Sequence, residues 1–177
     1  STVSDPIRNQ ITALTAASSS SDLYNADQSG LGVGIVDNAG QPLRTVKVTS
    51  GKAVFPLVAK NNSTQANNYN LYASFSTIDV VNIALTAKTG FSVKFYEGDA
   101  SCQTVGKQIT NTGTLGAGAS KAYCAVIDVD VSQQNFTAPI WFAIQSPVNQ
   151  QADSIKNQIE SNVARLLTLT NDQQGQV

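Results

Sequence analysis

Side chains able to perform acid–base or nucleophilic catalysis are scarce in this sequence of 177 residues. It contains no histidine, so neither a Ser-His-Asp nor a Cys-His arrangement can activate a nucleophile. Glycoside hydrolysis would need two carboxylates that face each other across a cleft. Asp128 and Asp130 share one side of an alternating stretch, where a solvated strand face explains them more simply. We therefore expect no enzymatic activity.

The two cysteines, Cys102 and Cys124, form the second candidate for chemistry. Without histidine, a single pair cannot complete a four-ligand zinc site. Two free buried thiols and one disulfide remain as alternatives, and the polar, weakly charged composition favours the disulfide because it is typical of exported proteins. The bridge would hold the loop from Glu97 to Gln103 against the outer face of the strand that carries Cys124.

Four acids near the cysteines are the candidate metal ligands. Glu97 and Asp99 precede Cys102, and Asp128 and Asp130 follow Cys124. Carboxylates are hard oxygen ligands of the kind that calcium prefers, and a disulfide would draw the two acid pairs towards each other. Ordinary surface acids are the alternative interpretation. Calcium is the one cofactor considered, and otherwise we expect none.

The overall composition excludes several classes of partner. The net charge is −1 and charged residues make up 13% of the chain, so no basic stripe is available for nucleic acid. Serine, threonine, asparagine and glutamine supply more than a third of the residues. No apolar run approaches the ~18–20 residues of a membrane-spanning helix. The sequence lacks a signal peptide, and we expect a mature or excised secreted product.

Apolar residues alternate with polar ones between turn signals along most of the chain, which predicts about eight strands in an antiparallel β-sandwich. The Gly-rich stretch from Thr112 to Gly118 is predicted to be a loop, and the chain from Ser18 to Ser21 onward a flexible linker. The predicted strands centre on Leu31–Ile35, Val46–Val48, Phe55–Ala59, Tyr69–Phe75, Val80–Leu85, Phe91–Phe95, Tyr123–Val131 and Ile140–Ile144.

Two short motifs occur twice. The motif Asp5-Pro6-Ile7-Arg8-Asn9-Gln10-Ile11 returns as Asp153-Ser154-Ile155-Lys156-Asn157-Gln158-Ile159, and Asp27-Gln28-Ser29-Gly30 returns as Asp172-Gln173-Gln174-Gly175. The offset of about 145–148 residues is that of a whole domain and not of a solenoid unit. Chance similarity in a chain rich in asparagine and glutamine is the alternative.

This repetition predicts one period of a tandem array. Residues 1–30 would be the tail of a preceding repeat and a linker, residues 31–170 the sandwich domain, and residues 171–177 the start of the next repeat. The segment from 153 to 169 fits either a strand or a helix. Ile155, Ile159, Val163 and Leu167 recur every four residues, as on one face of a helix, and all have odd numbers, as on one face of a strand. We favour the strand.

Several segments resemble bacterial Ig-like surface repeats. The similar stretches are Phe55–Ser63, Tyr69–Leu71, Val93–Tyr96, Thr112–Gly118 and Ala122–Val131, and a closing "I-x-N-x-A" strand fits Ile7–Ala13 and Ile155–Val163. The resemblance implies an all-β, antiparallel Ig-like β-sandwich of about seven to nine strands. It also implies tandem copies on secreted, cell-wall or surface-layer proteins, with neighbouring repeats and identical subunits as partners and no enzymatic activity.

Three functions are compatible with these observations. The first is a structural domain of a repetitive surface protein such as a surface-layer protein. The second is an adhesin-type module that presents loops to carbohydrate or protein, and the third is an accessory domain of a secreted hydrolase. Trp141 would suit sugar stacking, but its position between Ile140 and Phe142 favours burial.

Overall fold

The computed structural model describes residues 21–32, 40–130, 134–148 and 151–162. Within these ranges the chain forms ten β-strands and no helix, and thus none that could cross a membrane. The strands are β1 (Ser21–Asn25), β2 (Thr45–Lys47), β3 (Lys52–Asn61), β4 (Asn67–Ser74), β5 (Phe91–Gly98), β6 (Val105–Ile109), β7 (Asn111–Leu115), β8 (Ser120–Val129), β9 (Phe136–Gln145) and β10 (Asp153–Ser161).

The strands form two sheets of five, in the orders β1-β3-β8-β5-β6 and β2-β10-β9-β4-β7. Every pair is antiparallel except β2 with β10, which run parallel over three residues. The predicted all-β sandwich is therefore confirmed, with ten strands where about seven to nine were expected.

The core lies between the sheets, where alternate side chains of each strand meet. Ala125, Ile127 and Val129 of β8 face inwards as their alternation predicts. Phe55 of the first sheet meets Phe142 of the second, with ring centroids 5.2 Å apart. The other fully buried large side chains include Leu23, Leu57, Tyr69, Tyr123, Ile140, Ile144, Ile155 and Ile159.

The described chain enters the sandwich at one end and leaves it at the other. We call the end where β1 and β10 begin the head, since Asp153 of β10 contacts Leu23 of β1 there. The opposite end is the foot. Ser161, the last residue of β10, is paired with Phe136, whose ring lies 5.5 Å from that of Phe91 in the other sheet.

Three predictions about local structure were wrong. The segment from Val80 to Leu85 is irregular and not a strand; together with Ile78 it covers the outer face of the second sheet, packing beside Trp141 and Ala152. The predicted Gly-rich loop overlaps β7 over residues 112–115. Leu31 lies in an exposed turn, while residues 33–35 of that predicted strand lie outside the described ranges.

The predicted linker and domain boundary also need correction. Residues 21–25, assigned to a linker, form β1, which pairs with β3 along its whole length and is buried throughout. The sandwich therefore begins at or before Ser21 and not at residue 31. The closing segment is a strand, as favoured, over 153–161. Val163, Leu167 and the N-terminal copy 5–11 lie outside the described residues.

Candidate functional site

The first notable group of polar side chains lies buried between β1 and β10, at the edge where the two sheets meet. β1 is an edge strand, so the N–H groups on its outer side lack a neighbouring strand. At one position the side chain of Asp153 takes the place of a neighbouring strand, because Leu23 N donates to Asp153 Oδ2 at 2.6 Å. Ser154 N donates to the other oxygen, Oδ1, at 3.0 Å.

A reciprocal amide pair lies further along the same edge. Asn25 Nδ2 donates to Asn157 Oδ1 at 2.9 Å, and Asn157 Nδ2 donates to Asn25 Oδ1 at 2.7 Å. Both asparagines are fully buried. Their amides satisfy each other, and Asn25 Nδ2 also reaches Ser29 Oγ at 3.0 Å. We call Asp22, Asn25, Asp153 and Asn157 the polar seam.

Asp22 and Asp153, the two carboxyl groups of the polar seam, lie close enough to affect each other's ionisation. Burial raises the pKa of Asp153 well above its usual value, and the neighbouring charge of Asp22 raises it further. Burial also raises the pKa of Asp22. Asp22 Oδ1 is buried without an amide or hydroxyl donor among the described residues, and a protonated Asp153 would supply that donor. Burial likewise raises the pKa of Tyr123 beside the pair.

The polar seam joins one sheet to the other without exposing a reactive group. Asp153, Ile155, Asn157 and Ile159 all point inwards, so the closing strand alternates polar with apolar residues on its core face. The sequence predicted no role for Asp153 or Asn157 beyond their places in the repeated motif. Both residues lie an even number of positions from Ile155 and Ile159, so they share one face of the strand with these isoleucines. That spacing was the signal that would have revealed them.

The two cysteines are joined, with an S–S distance of 1.98 Å and Cα atoms 5.9 Å apart. Cys102 lies in a turn after β5 that Asp99 organises, since its Oδ1 accepts from the N–H groups of Ser101 and Cys102 at 2.9 and 3.1 Å. Gly98 lets the bridge pass, because a Cβ there would lie 2.5 Å from Cys124 Sγ. The bridge ties the loop to the outer face of β8, as expected.

The four candidate calcium ligands do not converge. Glu97 pairs with Tyr123 in the β5–β8 register whereas Asp128 pairs with Ser92, a separation of five residues or roughly 17 Å along the strands. Glu97 bonds to Lys121 at 3.3 Å, and Asp128 forms an ion pair with Lys52. Across the described ranges, no three acidic or cysteine side chains form a group able to hold a metal ion.

The carboxylate of Asp99 is satisfied within its own turn. The Ser101 hydroxyl, with the N–H groups of Ser101 and Cys102, lowers the pKa of Asp99, so that carboxylate is committed to its own turn. Asp130 follows β8 at the foot, where its backbone N–H bonds to Gly90 O at 2.8 Å. The expectation that the disulfide would draw the two acid pairs together was therefore wrong.

Trp141 is half-buried on the outer face of the second sheet, as the sequence suggested. Lys156, its register partner on β10, places Nζ 5.3 Å from the centre of the indole ring. Lys156 Nζ also donates to Gly40 O at 2.7 Å. A cation over the ring leaves that face of the indole covered, so the arrangement fastens β10 to its neighbours.

Comparisons with known proteins supply a fold likeness but no family. No protein-family model matches the chain, and no curated protein matches it. Among solved structures, a FixG-related protein from Vibrio parahaemolyticus has a TM-score of 0.43 at 12% identity, covering 63% of this chain and 80% of that one. The CooA pilin subunit from enterotoxigenic Escherichia coli scores 0.43 at 11% identity, covering 81% and 98%.

The N-terminal domain of PorA scores 0.41 at 8% identity, covering 80% of this chain and 96% of that one. At these values the likeness carries no argument about function. The proposals below rest on the residues of this chain.

Proposed function

We propose that this chain is a non-catalytic structural unit of a tandem array, carried on a secreted bacterial surface protein such as a surface layer. Each unit is a β-sandwich that begins with β1 and is closed by β10. Its partners would be the neighbouring units of the same polypeptide, with identical subunits alongside.

The proposal rests on the residues of the closing strand that recur near the N-terminus. Four side chains of β10 between 153 and 159 point into the sandwich, and all four are identical in the upstream copy: Asp5, Ile7, Asn9 and Ile11 match Asp153, Ile155, Asn157 and Ile159. Chance similarity in an asparagine-rich chain has no reason to preserve one face of a strand.

The one unlike pair, Pro6 against Ser154, falls where proline is tolerated. Even-numbered residues of β10 direct their backbone groups towards β2 and away from β9: Gln158 N donates to Arg44 O at 2.9 Å, and Leu43 N donates to Lys156 O at 2.8 Å. Ser154 N has the same direction and bonds to the side chain of Asp153. A proline there loses no bond to the neighbouring strand.

The positions of the chain ends support an in-line arrangement. The described chain enters at the head with Ser21 and leaves β10 at the foot. Short connections between such units would place them head to foot in one direction. The disulfide and the polar, weakly charged composition support an oxidising, extracellular location for the array.

The proposal is tested by rewriting β10 as the N-terminal copy. The S154P/K156R double variant should fold and melt within a few degrees of the unmodified protein, because it keeps the β9 ladder and the bond from Leu23 N to Asp153 and loses only the bond from Ser154 N to Asp153. Q158P is the matched control, since it removes the bond from Gln158 N to Arg44 O and should lower stability by about 1–3 kcal/mol. Unfolding of S154P/K156R would reject the equivalence of the two segments.

The absence of catalysis is part of the same proposal and has its own test. The chain has no histidine, and the buried carboxyl pair of the polar seam is enclosed by β1 and β10. We expect no turnover of ester, peptide or glycan substrates. Activity that copurifies with the protein and disappears in D153N or D128N would show that the unit is an enzyme.

A further inference from the structure

We infer that the site filled by β10 also accepts residues 5–11 of a second copy of this chain, so that copies can exchange closing strands. The inference rests on the proposed equivalence of the two segments. It assigns the upstream segment a partner beyond its own unit, namely the β1–β9 edge of a neighbouring molecule. The contacts of β10 show what that edge requires.

The edge selects a strand by polar contacts that apolar strands cannot make. Beside the backbone groups of β9 that pair with β10, it offers the backbone donor Leu23 N on β1, which needs a carboxylate oxygen. It also offers the buried amide of Asn25, which needs both a donor and an acceptor from one side chain. Asp5 and Asn9 supply these groups at the same spacing as Asp153 and Asn157.

The apolar and outward positions are equally compatible. Ile7 and Ile11 reproduce the two fully buried isoleucines, Ile155 and Ile159. On the outer face, Arg8 replaces Lys156, which lies over Trp141 and bonds to Gly40 O. A guanidinium satisfies both contacts, since it stacks on aromatic rings and donates hydrogen bonds.

The geometry favours a second molecule over the chain's own N-terminus. A strand in the place of β10 runs from head to foot, about 26 Å for nine residues, so Ala13 would lie at the foot beside the position of Ser161. Ser21 stands at the head, in the opposite sheet about 10 Å away. Eight peptide steps join the two residues and reach at most ~29 Å fully extended. The connection from Ala13 to Ser21 therefore has no spare length to pass around the edge of the sandwich.

The covalently attached β10 has the advantage in the unmodified chain, because its effective concentration is on the order of millimolar. Exchange therefore becomes visible when β10 is disabled. In the full-length variant I155D/I159D, two carboxylates would have to enter the core, so β10 is expelled. The intact segment 5–11 of another molecule can then close the sandwich.

The experiment measures thermal unfolding and molar mass by light scattering for three full-length variants. I155D/I159D should unfold cooperatively and form dimers or longer chains in multiples of 18.6 kDa. I7D/I11D should be a folded monomer. The quadruple variant I7D/I11D/I155D/I159D should be unfolded, and a synthetic peptide of residues 3–13 should restore its cooperative transition.

An I155D/I159D protein that is unfolded at every concentration, or that folds as a monomer, would overturn the exchange. So would a quadruple variant that oligomerises in the same way, because its upstream strand is disabled. These outcomes are independent of the S154P/K156R result. If that variant folds while I155D/I159D does not, the array proposal survives and strand exchange is rejected.

Discussion

The buried amide pair of Asn25 and Asn157 predicts a distinctive pattern of stability changes. Replacing Asn157 alone with leucine leaves the Asn25 amide without its partner in the core, at a cost of about 1–3 kcal/mol. The double variant N25L/N157L removes both polar groups and should recover part of that loss. Urea unfolding of the two single variants and the double variant gives the coupling energy. Additive losses would show that the two amides act independently.

Gly98 is required by the disulfide and not by its backbone conformation. An alanine Cβ would lie 2.5 Å from Cys124 Sγ, whereas nothing lies within 4 Å of a Cβ at Gly116. We expect G98A to lose about 1–3 kcal/mol and G116A to change stability by less than about 0.5. In a C102S/C124S background the penalty of G98A should shrink. An equal penalty with and without the bridge would assign the clash to another atom.

The raised pKa values of Asp22 and Asp153 predict that stability falls as pH rises. Both folded-state pKa values are raised, so the stabilisation is complete below the unfolded value near 4 and is lost as pH rises through the raised values. Lys60, the register partner of Asp22, opposes this by favouring its ionised form. Melting temperatures from pH 5 to 8 should decline.

The matched variant for this prediction is D153N, whose amide can still accept from Leu23 N and donate to Asp22. It should flatten the pH dependence between pH 5 and 8. A melting temperature that rises over this range in the unmodified protein would contradict the raised pKa values.

Residue-scale predictions succeeded where one local pattern was decisive. The alternation in β8 placed Cys124 outside and Ile127 inside, and it put the disulfide against the outer face. The expected convergence of the two acid pairs was wrong because it depended on the register of β5 against β8, which separates Glu97 from Asp128 and which no local pattern contains. The polar seam depends on contacts across more than a hundred residues, so the sequence alone did not reveal it.

At the scale of elements, β10 should be indispensable and the upstream segment dispensable for this unit. Removing residues 153–177 takes away two fully buried isoleucines, worth about 1.5–3 kcal/mol each, and leaves Leu23 N and the Asn25 amide unpaired. Removing residues 1–16 leaves β1 intact. Circular dichroism melts should show loss of folding only for the C-terminal truncation. Equal losses would mean that this unit uses both segments.

The strands that sequence reasoning found are those with one apolar face on the core, such as β3, β8 and β9. It missed β6, whose residues are almost all exposed, and β7, whose glycine suggested a loop. It misassigned β1 because serine, aspartate and asparagine resemble a linker, although both faces of that strand are buried. The apolar residues from Val80 to Leu85 cover a sheet from outside, a role that has no periodic signature.

For the whole molecule, we expect folding to be independent of calcium. The acids considered as ligands are separated along the sheet or held by Lys52, Lys121 and the turn at Asp99. Adding millimolar calcium or a chelator should leave the melting temperature unchanged within about one degree. A calcium-dependent increase that disappears in D99A would contradict this expectation and identify a calcium site that includes Asp99.

The opposite positions of Ser21 and Ser161 determine how such an array would respond to tension. Pulling the two ends apart draws β1 and β10 along their own axes, so their hydrogen bonds to β3 and β9 are loaded in shear and must break together. The disulfide lies outside both of these strands. Once a unit ruptures, its 22-residue loop stays closed and withholds about 70–80 Å of extension. Each unit would therefore resist unfolding under tension, and the disulfide would limit how far an unfolded unit extends.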